Sequence, residues 1–236
     1  MDLLLDTLRE AVRLLLHGNA YLWQIVVLSL RVSSSAVAIG LLIGIPLGTV
    51  VGLGRFPGRG IVIALIHTGF ALPPVVVGLF VYLLLSRSGP AGGLELLFTP
   101  AAMVLAQALL AAPYVAGITL AAVQAVPRDV GVQAAALGAG RLRAVWMQLR
   151  EARLGLLAAV VAGFGAVISE VGAVMLVGGN IMGETRVMTT AIVLETRRGN
   201  YATAMAMGLL LLMIAFVVNL LLTRAQQGRL AGRGWS

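Results

Sequence analysis

A chain of 236 residues that is 60% hydrophobic and only 11% charged, with a mean hydropathy of +1.00, lies far outside the composition of soluble domains, where about 25% of residues are charged. Composition therefore excludes an ordinary soluble enzyme, and the formal net charge of +8 is assigned to arginines gathered at one face of a bilayer, not to nucleic-acid binding. Cysteine is absent, so disulfides, thiolate metal sites and thiol nucleophiles are excluded as well.

At the start, Leu3, Leu4, Leu5, Leu8, Val12, Leu14, Leu15 and Leu16 are interleaved with Asp6, Arg9, Glu10 and Arg13. Residues 1–18 are therefore expected to form an amphipathic helix lying in the membrane interface, with no features of a cleavable leader. A first span follows over residues 21–53, longer than the ~20 residues a crossing helix needs. Gly40, Gly44, Gly48 and Gly52 recur at every fourth position and present a smooth stripe for tight helix contact. Pro46 is expected to bend this span, and Arg31 to sit near its outer end and snorkel to the interface.

Residues 54–60 read as a turn, and residues 61–85 as a second span that contains Pro73 and Pro74. Two adjacent prolines remove two backbone donors and force a kink or unwinding, which a membrane tolerates where protein or a watery cavity receives the freed carbonyls. They mark either a transport pathway or a helix bent for packing. A glycine-rich loop leads to a third span over residues 100–126.

Residues 127–153 form the densest run of charge between two apolar segments. The block Gln133, Ala134, Ala135, Ala136, Leu137, Gly138, Ala139 and Gly140 passes into a charged amphipathic stretch containing Val145, Trp146 and Leu149, which predicts two short helices joined at residues 138–140. Small side chains admit a partner's backbone, and Leu137 and Trp146 offer apolar anchors. This is a docking knob, or else an alanine-rich connector.

A fourth span is expected over residues 154–178. It carries Ser169, Glu170 and Gly172, and a carboxylate at such depth is costly and by default a functional candidate. Its compensation is expected from a hydrogen bond, an arginine or a proton; the structural alternative is a cap or an interhelical tie. Residues 177–192, with Asn180, Thr185, Arg186, Thr189 and Thr190, are too polar to span and too apolar for a free loop, so a re-entrant or interfacial fold-back is predicted. A fifth span over residues 201–222 and a basic tail, residues 225–236, complete the chain.

The stretch Leu137, Gly138, Ala139 resembles the cytoplasmic coupling loop of ABC importer permeases, with Val132 standing where that family usually has glutamate. The segments Glu170-Val171-Gly172-Ala173, Gly178-Gly179-Asn180-Ile181 and Thr185-Arg186-Val187-Met188-Thr189-Thr190-Ala191-Ile192, with Leu72-Pro73-Pro74-Val75-Val76-Val77-Gly78-Leu79 and Glu195-Thr196-Arg197-Arg198-Gly199, are similar to permeases of tungstate ABC importers, relatives of the molybdate permeases. The resemblance implies an all-α membrane fold of five spans of the MetI-like type. It also implies a permease homodimer, ABC ATPase subunits on the docking loop, and an extracytoplasmic oxyanion-binding protein. The implied cargo is an oxyanion, tungstate before molybdate or sulfate, with no cofactor held by this chain. Pro73, Pro74, Ser169, Glu170, Gly172, Asn180, Arg186, Thr189 and Thr190 are the expected pathway or gate residues. Gln133, Ala134, Ala135, Leu137, Gly138, Ala139, Gly140 and Trp146 are the expected ATPase-docking residues.

Arginines at positions 55, 59, 128, 141, 143, 150, 153, 224, 229 and 233 fall on one side of five spans. By the positive-inside rule the loop and the C-terminus are expected in the cytoplasm and the N-terminus outside an inner (cytoplasmic) membrane. No phosphate-binding loop motif is present, so ATP chemistry is assigned to another chain. An intramembrane enzyme using Glu170 as acid or base lacks a second carboxylate nearby in sequence. A lone carrier using Glu170 as proton relay lacks an internal repeat.

Overall fold

The structure, a computed structural model, describes residues 2–16 and 20–231. Residues 1, 17 and 18 of the expected N-terminal helix and residues 232–236 of the tail lie outside them. The described residues form helices α1 Asp2–Leu16, α2 Ala20–Leu53, α3 Arg59–Phe70, α4 Pro74–Leu85, α5 Pro100–Gln124, α6 Arg128–Ala136, α7 Arg141–Glu151, α8 Arg153–Ile168, α9 Gly172–Gly178, α10 Met188–Arg197 and α11 Tyr201–Ala231. Among the described residues three helices are long and apolar enough to cross a membrane, over Ala20–Leu53, Pro100–Gln124 and Tyr201–Leu221, and up to five spans result if each of the bent pairs α3–α4 and α7–α8 is one span.

The centre of the bundle is the pairing of α2 with α5, and the glycine stripe makes it. A Cβ added at Gly40 would stand 2.8 Å from the Ala111 Cβ, and one at Gly44 2.6 Å from the Val115 Cβ. At Gly48 an added Cβ would collide with the Ala116 carbonyl. Only a bare backbone fits against α5 at these turns. Contacts that advance in step, from 40 with 111 to 52 with 120, mean that the two helices run in the same direction. Pro46 is accommodated inside α2 without ending it, on an exposed face.

This register orients everything else. At one end, here the loop end, α2 finishes where the Arg59 Nε donates to the Val51 carbonyl at 2.8 Å, meeting one of the last-turn acceptors that a helix leaves open. The charged loop of α6 and α7 hangs from this end. At the opposite, hairpin end, Val32 packs with Ala102 and Met103, level with the first turn of α5, so α2 continues beyond α5 toward Ala20. There Leu22, Ile25 and Val26 join Met188, Ala191 and Met207 in a separate apolar cluster, which seats α10 and the start of α11.

Two expected spans are not continuous. The second is divided into α3 and α4, set at 101°. The fourth is interrupted after Ile168, and α9 begins only at Gly172. The helix of the fifth span runs past the expected end at residue 222 to Ala231. In α1, Ala11 is buried while Leu5, Leu8 and Val12 stay more than two-fifths exposed on one face, an arrangement suited to an apolar surface that the chain itself does not supply.

Candidate transport pathway and docking surface

The break between α3 and α4 follows from Pro73 and Pro74. With no N–H on either residue, α3 closes on a tight turn in which the Ala71 N–H donates to the Thr68 carbonyl at 3.0 Å. Pro73 then takes an extended backbone (φ −62°, ψ 123°), and Pro74 opens α4, where its missing donor costs nothing. Both prolines are exposed. Tyr114 of α5 reinforces the corner: its ring stacks on Phe70 at 4.9 Å, and its hydroxyl donates to the Phe70 carbonyl at 3.1 Å.

The break between α8 and α9 is built on Glu170. Its Oε1 accepts from the Ala173 N–H at 2.8 Å and its Oε2 from the Val174 N–H at 3.1 Å. The carboxylate thus caps α9 and places negative charge at the positive end of that helix. Buried at 6% exposure, it meets the requirement that polar groups at membrane depth be satisfied internally. Around it, the Gln107 amide donates to the Val167 carbonyl at 2.9 Å, and the Thr189 hydroxyl donates to the Glu170 carbonyl at 2.9 Å. Ser169 is exposed, with its hydroxyl turned back on the Gly165 carbonyl at 3.0 Å.

The two breaks lie side by side. A Cβ at Gly172 would stand 2.5 Å from the Val75 Cγ2, and one at Gly78 2.5 Å from the Ala173 Cα. The second helices, α4 and α9, therefore set off together from one level and pack through Val77, Val81, Val174 and Val177. Pro73, Pro74, Ser169, Glu170, Gly172 and Thr189 belong to this one region.

Asn180, Arg186 and Thr190 belong to the hairpin instead. Gly179 (φ 69°) and Asn180 (φ 53°) turn the chain in left-handed geometry. The Arg186 Nε donates to the Asn180 Oδ1 at 3.2 Å, its Nη2 to the Asn180 carbonyl at 3.2 Å, and its Nη1 to the Tyr21 hydroxyl at 2.8 Å. Thr190 caps α10, its hydroxyl oxygen accepting from the Val187 N–H at 3.1 Å. Three further residues hold the hairpin, two of which, Ser29 and Tyr21, no motif had marked. Thr185 donates to the Gly178 carbonyl, Ser29 accepts from the Met188 N–H at 2.8 Å, and Tyr21 bonds Arg186. Ser29 falls at helical spacing from Leu22, Ile25 and Val26 on the buried face of α2, and a hydroxyl on that apolar stripe is the signal by which it could have been found.

At the loop end, α6 stops in a left-handed cap: Gly138 has φ 77°, and the Ala139 N–H returns to the Ala134 carbonyl at 2.9 Å, the six-to-one bond of a Schellman motif. Gly140 then opens α7. Ala134 is buried and Ala139 half-buried, Gln133, Gly138 and Gly140 are exposed, and Ala135 lies within α6. Leu137, Leu142 and Trp146 are 84%, 88% and 67% exposed. Trp146 and Leu142 also line a shallow apolar depression of ≈ 430 Å³ with Val145 and Leu149. Large apolar side chains at this exposure, on a loop otherwise rich in arginine, form a patch of the kind that marks an interaction surface.

Comparison with known proteins bears on the whole arrangement. The family described as "Binding-protein-dependent transport system inner membrane component" matches residues 44–229. A "Probable anion ABC transporter permease protein" of Haloferax volcanii is 46% identical over 206 residues, covering 85% of this chain and 89% of that protein. The "Tungstate uptake system permease protein TupB" of Peptoclostridium acidaminophilum is 40% identical over 227 residues, covering 96% of this chain and all of that one. In fold, the chain is similar to a permease in an inward-facing MetNI methionine ABC transporter, with a TM-score of 0.65 at 16% identity over 88% of this chain and 94% of that chain. The chain belongs to the family of binding-protein-dependent transport system inner membrane components, the multi-pass permease subunits of ABC importers.

Proposed function

We propose that two copies of this chain form the membrane pathway for a tetrahedral oxyanion, tungstate in the first place, driven by ATPase subunits seated on the α6–α7 loop. The observation that carries the reading is the exposed apolar knob of Leu137, Leu142 and Trp146, with Gln133, Gly138 and Gly140 beside it. The substrate rests on the 40% identity to TupB. ATP hydrolysis belongs to the partner chain. The loop end faces the cytoplasm, in keeping with Arg55, Arg59, Arg141, Arg143 and Arg150 gathered there. The hairpin end then meets the binding protein outside, and α1 lies in the outer membrane interface with Leu5, Leu8 and Val12 against lipid.

The paired breaks supply a gate. Pro73, Pro74, Ser169 and Gly172 mark the level at which α4 and α9 can move as a unit against α3 and α8. Glu170 and Thr189 hold α9 to the hairpin, while Asn180, Arg186 and Thr190 hold the hairpin itself. Asn180 accepts from Arg186 through its Oδ1 and its carbonyl, and Thr190 donates to the Val187 carbonyl; the constriction at the gate is apolar, formed by exposed Val75, Val76, Leu79 and Phe80, and opens when ATPase closure moves the knobs.

Uptake of tungstate, molybdate and sulfate into proteoliposomes tests this, with each of the three components omitted in turn. Tungstate accumulation that needs this chain, the ATPase, the binding protein and ATP is the expected result. Accumulation by this chain alone would overturn the docking reading, and preference for molybdate or sulfate would overturn the substrate.

A further inference from the structure

The hairpin end carries a cationic cavity beside the tie that Arg186 makes to α2. It has a volume of ≈ 630 Å³ and is lined by Tyr21, Trp23, Gln24, Val27, Arg31 and Arg186 among others, with no carboxylate among the described residues of its wall. Arg186 engages Asn180 and Tyr21 through one N–H on each of Nε, Nη1 and Nη2. A guanidinium has five N–H groups, so two remain. Arg31 is exposed and enters no ion pair among the described residues. Two fixed positive charges thus share one cavity without an anion to balance them.

The depth of the cavity identifies what can reach it. Val32 packs on Ala102 and Met103, so Arg31 stands level with the first turn of α5, at the boundary of the spanning bundle. The cavity extends about 16 Å along α2 from there to Ala20. Trp23, Val27 and Arg31 are four residues apart and share one outward face, with Trp23 57% and Val27 41% exposed. Tryptophan above arginine at the rim of a bundle is the pattern of a membrane–water interface.

On the other side of Arg31 an apolar groove of ≈ 420 Å³ begins, lined by Leu30, Ser34, Ala38, Leu41, Val160 and Phe164 among others. Ser34 lies one turn and Ala38 two turns on from Arg31. The cavity and the groove share no lining residue, but Arg31 of the cavity is flanked along α2 by Leu30 and Ser34 of the groove, so a polar, cationic cavity stands next to an apolar one, the pair of chemistries that one amphiphile carries.

We infer that the cavity and groove together bind a phospholipid of the hairpin-end leaflet. Its phosphate lies between Arg31 and Arg186 and one acyl chain lies along α2, α8 and α11. The phosphate oxygens accept charge-assisted hydrogen bonds from both guanidinium groups, and the groove accounts for a lipid in place of a free oxyanion, which has nothing to put there. This reading is independent of the substrate and of the ATPase.

The test is thermal unfolding of the purified full chain in detergent, titrated separately with phosphatidylglycerol, with diacylglycerol of the same chain length, and with sodium tungstate. Phosphatidylglycerol is expected to raise Tm saturably, by about 5–10 °C at a hundredfold excess over Kd, and diacylglycerol to do so far less. Arg31→Gln and Ala38→Trp, both at exposed positions, are each expected to weaken phosphatidylglycerol at least tenfold. The inference is overturned if phosphatidylglycerol acts equally on wild type and Arg31→Gln, or if diacylglycerol matches it. A saturable tungstate shift lost in Arg31→Gln would assign the cavity to a free oxyanion and overturn the lipid.

Discussion

The hydroxyl of Thr189 donates to the main-chain carbonyl of Glu170 at 2.9 Å, which ties the hairpin helix α10 to the gap between α8 and α9. The same glutamate caps α9 with both carboxylate oxygens, so one residue holds a helix start and a tertiary junction.

Glu170→Gln retains one acceptor oxygen and is expected to keep one of the two caps. Glu170→Ala loses both, leaving two first-turn N–H groups to be satisfied in an apolar setting. With buried hydrogen bonds to a charged group at about 1.5–3 kcal/mol each, the alanine variant is expected to be the less stable of the two. Denaturant titration in detergent gives the ranking; equal stability of wild type and Glu170→Ala would remove the capping role.

The glycine stripe gives a position-dependent expectation. An alanine at Gly44 would bring its Cβ to 2.6 Å from the Val115 Cβ, whereas at Gly52 the nearest atom, the Leu120 carbonyl oxygen, is 3.4 Å away. Gly44→Ala is expected to cost about 1–3 kcal/mol through overpacking, and Gly52→Ala to be close to neutral. If both variants unfold at the wild-type midpoint, α2 and α5 are not in close contact along this stripe.

Removing the Tyr21 hydroxyl isolates the tie between α2 and the hairpin. Tyr21→Phe keeps the ring and loses the acceptor for the Arg186 Nη1, 165 residues away in sequence. A loss of about 1–3 kcal/mol is expected, since the donor is charged, with faster amide exchange confined to residues 179–187. Unchanged exchange in the hairpin would show that Tyr21 does not restrain it.

How far the sequence disclosed these features depends on the distance between partners. Pro73 and Pro74 announce their break because the missing donors are local, and the small-residue block from Gln133 to Gly140 announces a turn at residues 138–140 because αL geometry is local too. The spacing of Gly40 to Gly52 foretells a close helix neighbour, though not that α5 is that neighbour. Glu170 is conspicuous as a carboxylate in apolar sequence, yet the continuous apolar run around it hides the gap it caps, since helix periodicity is the same on both sides. The bonds from Ser29 to Met188 and from Tyr21 to Arg186 join residues about 160 positions apart, which local patterning does not encode. Asn180, Arg186 and Thr190 are legible as polar groups, but only the fold reveals that Arg186 donates to Asn180 and Tyr21 and that Thr190 is bonded to Val187.

The docking knob is testable without transport. Gly138 has φ 77°, so Gly138→Leu strains the turn, at roughly 1–2 kcal/mol for a left-handed residue, and adds bulk on the exposed surface between α6 and α7. Trp146→Ala leaves the turn intact and deletes a largely exposed apolar side chain. Both variants are expected to insert into the membrane, with Trp146→Ala unfolding near the wild-type midpoint and Gly138→Leu below it by no more than the strain of the turn, because neither position is buried. Association with the ATPase, followed by co-purification at graded concentrations, is expected to fall at least thirtyfold for Trp146→Ala, the loss of about 2 kcal/mol typical of an anchoring residue. It is expected to be undetectable for Gly138→Leu. Unchanged association in both variants would mean that the partner seats elsewhere, and the exposure of Leu137 and Leu142 would then need another explanation.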